Sequence, residues 1–150
     1  MILVIGIGNP DRGDDAAGLA VAQRIRALTK PGEVTVRELV GDQLALLDAW
    51  TGATEVYLVD AVCSGGTPGT VYQFGAADAL TERFTHRGTH TFSLTDVVEL
   101  AHALDRLPRH LAGYGIEGAA FEVGAPMSSR VRDAVDAVTG MLLADLKAGV

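Results

Sequence analysis

Asp15, Asp60 and His90 are the side chains in this sequence best suited to chemistry. Asp15 follows the turn-rich stretch Gly8-Asn9-Pro10-Asp11-Arg12-Gly13 and stands beside Asp14. Asp60 ends the apolar run Val56-Tyr57-Leu58-Val59, where a carboxylate is costly unless it is paired, hydrogen-bonded or metal-bound. His90 lies in Gly88-Thr89-His90-Thr91-Phe92-Ser93, a loop ahead of a helix. Two carboxylates and an imidazole from separate loops suit a borderline divalent ion such as nickel, zinc or iron.

Each residue also has a plain structural explanation. Acids in a first helical turn offset the helix dipole and cap free N–H groups. Asp60 would accept hydrogen bonds from the Ser64-Gly65-Gly66 turn. A lone loop histidine is more often structural than a ligand, and His86 is the nearest rival to His90. Cys63, close to Asp60, leaves a Cys–His nucleophile open, although a single buried thiol is usually inert.

Other chemistries find less support. Gly6-Ile7-Gly8-Asn9-Pro10-Asp11 lacks the third glycine of a dinucleotide fingerprint, and Pro10 removes a donor that a pyrophosphate would use. Glu38 is the nearest acid to serve as a ribose partner. No His-Glu-x-x-His helix or Gly-x-Ser-x-Gly elbow is present.

The elements that must position these residues alternate between strand and helix. Met1–Ile7 reads as a strand buried on both faces. A helix begins at Asp14, with Gly18, Val21, Ala22, Ile25 and Leu28 on one face, and stops at Lys30-Pro31-Gly32. Val34–Val40 alternates as a second strand, Asp42–Trp50 is a short helix, and Thr54–Val62 is a third strand. Thr70–Phe74 is a fourth strand, expected to pair with the third as a hairpin. Ser93 and Asp96 form a capping-box-like pair ahead of a helix over Leu94–Leu104. His110–Ile116 is a fifth strand. Ser128 is the candidate N-cap of a last helix through Leu146. Its inward face is Val131, Ala134, Val135, Val138 and Leu142.

This pattern predicts one α/β domain over residues 1–150. It is a three-layer α/β/α sandwich on a mainly parallel, five-stranded twisted sheet, with one hairpin-connected antiparallel strand. Ligands of such sheets bind beyond the carboxyl ends of the strands, so the loops after residues 7, 60 and 116 are the places to look.

Composition narrows the function. The net charge is −7, from 12 Lys+Arg against 19 Asp+Glu. Nucleic-acid binding needs a basic surface, and an acidic one disfavours anionic membranes. The one cysteine forbids an internal disulfide and a Cys-based zinc site. With no signal-like or membrane-spanning run, the sequence implies a soluble, cytoplasmic protein.

At these residues the chain resembles the hydrogenase maturation proteases. The resemblance is carried by Ile5-Gly6-Ile7-Gly8-Asn9-Pro10-Asp11-Arg12-Gly13-Asp14-Asp15-Ala16-Ala17-Gly18, by Val59-Asp60-Ala61 with Pro68-Gly69-Thr70-Val71, and by Thr89-His90. Tyr114-Gly115-Ile116-Glu117 and Met127-Ser128-Ser129-Arg130-Val131 match later blocks. It implies an endopeptidase that removes a C-terminal peptide from a nickel–iron hydrogenase large-subunit precursor after nickel insertion. Asp15, Asp60 and His90 would be its metal-binding and catalytic residues, with nickel supplied by the substrate and zinc or cadmium as substitutes. Without a cation, Asp14, Asp15 and Asp60 would repel one another. Two alternatives remain. One is a peptidyl-tRNA hydrolase, which also opens Gly-x-Gly-Asn-Pro but continues differently. The other is a non-catalytic metal- or subunit-binding module of the same fold.

Overall fold

The computed structural model describes residues 1–40, 43–75 and 94–148. Its strands are β1 (Ile2–Ile7), β2 (Thr35–Leu39), β3 (Glu55–Val62), β4 (Val71–Gly75) and β5 (His110–Glu117). Its helices are α1 (Ala17–Leu28), α2 (Gln43–Trp50), α3 (Leu94–Ala103) and α4 (Ser129–Ala148), with a 3-10 turn at Gly13–Ala16 ahead of α1. The sheet order is β2-β1-β3-β5-β4, parallel except for β4.

Side chains alternate across the central strands, and both faces are covered. Leu3, Ile5 and Ile7 of β1 join Val56, Leu58 and Leu111 against α2 and α3. Val4, Tyr57, Val59, Tyr114 and Ile116 face α1 and α4. A strand apolar on both sides must be sandwiched, so the three layers follow from the pattern. All five residues expected on the inner face of the last helix are buried in α4. Leu28 departs from expectation: it ends α1 and is 61% exposed.

Glycine sets how closely α1 approaches the sheet. A Cβ on Gly18 would lie 2.3 Å from the Val59 carbonyl oxygen and 2.6 Å from that of Ile7. Helix backbone therefore rests directly on the ends of β1 and β3. This contact carries the 3-10 turn, with Asp14 and Asp15, to the carboxyl ends of the strands.

The expected hairpin between the third and fourth strands does not form. Strand β5 lies between them, and β4 pairs antiparallel with β5, Tyr72 opposite Gly115. Stepping over one strand means crossing about 10 Å, which the eight-residue connection spans easily. Strand β5 is buried over most of its length and needs partners on both sides, whereas β4 is only partly buried and suits an edge.

Candidate functional site

From β1 the chain runs through α1 to β2 on one side. It returns through α2, on the opposite face, to β3 on the other side. The sheet's switch point therefore lies between the carboxyl ends of β1 and β3. Asp15 follows β1 and Asp60 lies near the end of β3, and the 3-10 turn packs against β3. Two of the three expected residues thus flank this crevice. His90 lies outside the described residues, as do His86 and the Ser93 cap. Among the described residues, no three of His, Cys, Asp and Glu form a metal-binding group.

Asp15 is fully buried, and its Oδ2 accepts the Asn9 amide at 3.1 Å. That bond folds the Gly8–Asp11 loop back onto the 3-10 turn and commits one N–H of the dinucleotide-like motif. Glu38 is likewise engaged, by Arg26 and Gln23 of α1, which removes the ribose partner. Asp60 is half-buried, and its Oδ1 accepts the Ala61 amide at 2.8 Å. Cys63 is half-buried beyond the end of β3.

Asp14 points away from this pair. Its carboxylate accepts the amides of Ala119 and Ala120, both at 2.9 Å, that of Ser128 at 2.7 Å and the Ser128 hydroxyl at 3.0 Å. Burial works to raise its pKa, but the three amides and the hydroxyl outweigh it, and the pKa lies below the ordinary value. Asp14 is thus an anion neutralised by N–H dipoles, and the expected three-way repulsion does not include it. Gly13 makes the docking possible. It has φ +53°, and a Cβ there would stand 2.3 Å from the Ala120 carbonyl oxygen. Ser128 does precede the last helix, but its hydroxyl bonds Asp14 rather than the helix's own amides.

A further buried carboxylate was not anticipated from the sequence. Glu117, at the end of β5, is fully buried. It accepts the Ser64 amide at 2.9 Å, the Ser64 hydroxyl, the Tyr72 hydroxyl at 3.0 Å and the Gly66 amide. Desolvation opposes its charge, yet these donors hold its pKa below the ordinary value. Ser64 and Gly66, in the turn expected to bond Asp60, bond Glu117. The available signal was the one used for Asp60: an acid closing an apolar strand.

Fold and site together define an α/β protein whose candidate residues Asp15 and Asp60 lie near the carboxyl ends of adjacent strands. Residues 20–145 match the family model HycI, hydrogenase maturation protease. The chain belongs to the hydrogenase maturation protease family, a peptidase family. Among solved structures, it is similar to the hydrogenase maturating endopeptidase HybD from Escherichia coli, with TM-score 0.79 and 21% identity over 99% of this chain and 93% of that one. It is similar to an Escherichia coli endopeptidase solved in solution, with TM-score 0.82 and 20% identity over 99% and 94%. The [NiFe] hydrogenase maturation protease HycI from Thermococcus kodakarensis follows at 0.73 and 23%, over 97% and 92%. No curated protein sequence matches the chain. Among the described residues, no helix is long and apolar enough to cross a membrane.

Proposed function

We propose that this protein is the endopeptidase that removes the C-terminal peptide of a nickel–iron hydrogenase large-subunit precursor once nickel is in place. On this reading Asp15, Asp60 and His90 recognise the substrate's nickel, and the reaction takes place in the cytoplasm. The observation that carries the proposal is the position of Asp15 and Asp60 at the ends of adjacent strands, astride the switch point, in a member of this family.

Two further observations support it. Of the four histidines, His102 ends α3 and His110 begins β5, at the opposite end of the sheet. That leaves His86 and His90 as the candidates for the third ligand. Burial also sets a direction of approach. Asp15 is fully buried and Asp60 half-exposed, so a cation reaching both enters past Asp60. The substrate's metal would polarise the scissile carbonyl or acidify a water, and Asp60, the more accessible carboxylate, would accept the proton.

The test is incubation with nickel-loaded precursor, followed by mass spectrometry. Loss of a C-terminal peptide from the nickel-loaded form, and not from the metal-free form, is expected. Asp60→Asn should lower cleavage by about 100-fold or more, as loss of a general base does. Binding without cleavage would instead support the non-catalytic module. Cleavage indifferent to nickel would defeat the sensing role.

A further inference from the structure

Glu117 is a buried anion that no step of the proposed reaction uses. Its register places it in the site's surroundings. Asp60 pairs with Gly115 and Val62 with Glu117, so Asp60 and Glu117 project from the same face of the sheet. Between them stands Gly115, whose missing side chain leaves room for Val62, with Cγ2 2.7 Å from where a Cβ would lie. Tyr72 lies opposite Gly115 on β4 and would be 3.7 Å from a Cβ there. Its hydroxyl reaches Glu117.

The donors that converge on Glu117 come from the connection between β3 and β4. Ser64 gives its amide and hydroxyl, and Gly66 gives its amide. The main chain adds the Gly69 amide to the Glu117 carbonyl at 2.8 Å, and the Glu117 amide to the Thr70 carbonyl at 2.9 Å. The turn is thus strapped over the end of β5 from beneath. Its outer side, Ser64 to Thr67, is exposed. Gly66 lets the turn sit this close, because a Cβ would fall 2.7 Å from the Tyr72 hydroxyl and 2.9 Å from Glu117 Oε1 and would push those side-chain ends aside. A turn rich in glycine and open to solvent would ordinarily sample many conformations. A carboxylate with several charge-assisted bonds selects one.

We propose that Glu117 is a positioning residue. It fixes the Cys63–Thr70 turn as one wall of the crevice beside Asp60, against which the extended C-terminal segment of the substrate lies. This inference rests on the proposed function and deepens it. The wall acts on binding of the peptide, whereas Asp15 and Asp60 act on the metal, so the two roles separate in kinetics.

The test compares wild type with Glu117→Gln, Tyr72→Phe and Ser64→Ala. Gln keeps one acceptor oxygen but turns an NH2 group toward amide donors. In Glu117→Gln, hydrogen exchange at Ser64 and Gly66 should quicken about tenfold or more without substrate, since the bonds that protect them are lost. KM for the nickel-loaded precursor should rise about tenfold while kcat stays within about twofold. Tyr72→Phe and Ser64→Ala should shift KM the same way by smaller factors, which keeps the test open if Glu117→Gln folds poorly. A fall in kcat at unchanged KM, or unchanged exchange, overturns the inference. A wild-type chain that neither binds nor cleaves precursor overturns the function reading itself. A wild type that cleaves, with variants of unaltered KM, overturns only the role given to Glu117.

Discussion

Asp14 and Asp15 are neighbours in one 3-10 turn, and both are fully buried. They nevertheless do different work. Successive residues of such a turn project about 120° apart. One carboxylate therefore turns toward the loop after β5, and the other toward the loop after β1. Asp14 takes three amides and a hydroxyl, a set that saturates an anion. Asp15 takes the amide of Asn9, in the loop that lines the crevice. Burial alone does not tell the two acids apart; what each one faces does. Glu117, held in its own cradle of donors, belongs with Asp14.

The largest effect should come from emptying the saturated cradle. Asp14→Ala leaves three amides without their acceptor and should cost about 3–4 kcal/mol in urea unfolding, a large part of a small domain's stability. Asp15→Asn keeps its shape and an oxygen for the Asn9 amide and should cost less than Asp14→Ala. Equal losses would erase the contrast between the two residues.

Metal binding tests the other half. With nickel, zinc or cadmium at about 100 times its Kd, the melting temperature should rise by about 5–10 °C. Asp15→Asn and Asp60→Asn should remove most of that rise, while Asp14→Asn keeps it from a lower starting point. A full rise in Asp60→Asn would mean that the ion binds elsewhere.

Acid should loosen the cradles. Glu117 titrates lower in the folded chain than its ordinary value of 4.5. The unfolded chain thus takes up the proton first, and the stabilisation is present above that pH and lost as pH falls through the folded pKa. Stability should decline below about pH 4.5, with up to about 1.4 kcal/mol per pH unit from this one group. Glu117→Gln should flatten that slope in denaturation curves taken at stepped pH. The smallest effect is Tyr72→Phe, which removes one donor and should cost about 1 kcal/mol.

Much of the fold was legible because burial writes a period into the sequence. Val131, Ala134, Val135, Val138 and Leu142 recur at helical spacing and are all buried. Strands and helices were found in order, with ends shifted by about a residue or two, as fraying ends allow. Pairing was not legible, since the place of β4 depends on a strand that comes 35 residues after it. Asp60 stands out in the sequence because an acid after an apolar run is conspicuous. Glu117 has the same context, but its donors come from a turn more than 50 residues earlier. Nothing local separates Asp14 from Asp15, because the difference lies in what each one faces.

The late arrival of β5 between two earlier strands has a consequence for the order of folding. During synthesis β3 and β4 emerge while the strand that belongs between them is still unmade. The eight-residue connection then permits a direct antiparallel pairing, the very hairpin that the sequence suggests. Such a pairing would be local and fast, on the order of microseconds, and would have to open before β5 could enter. The finished sheet would then be reached by insertion rather than by addition at an edge, and refolding should pass through a stage in which β1 and β3 are protected from exchange before β4 is.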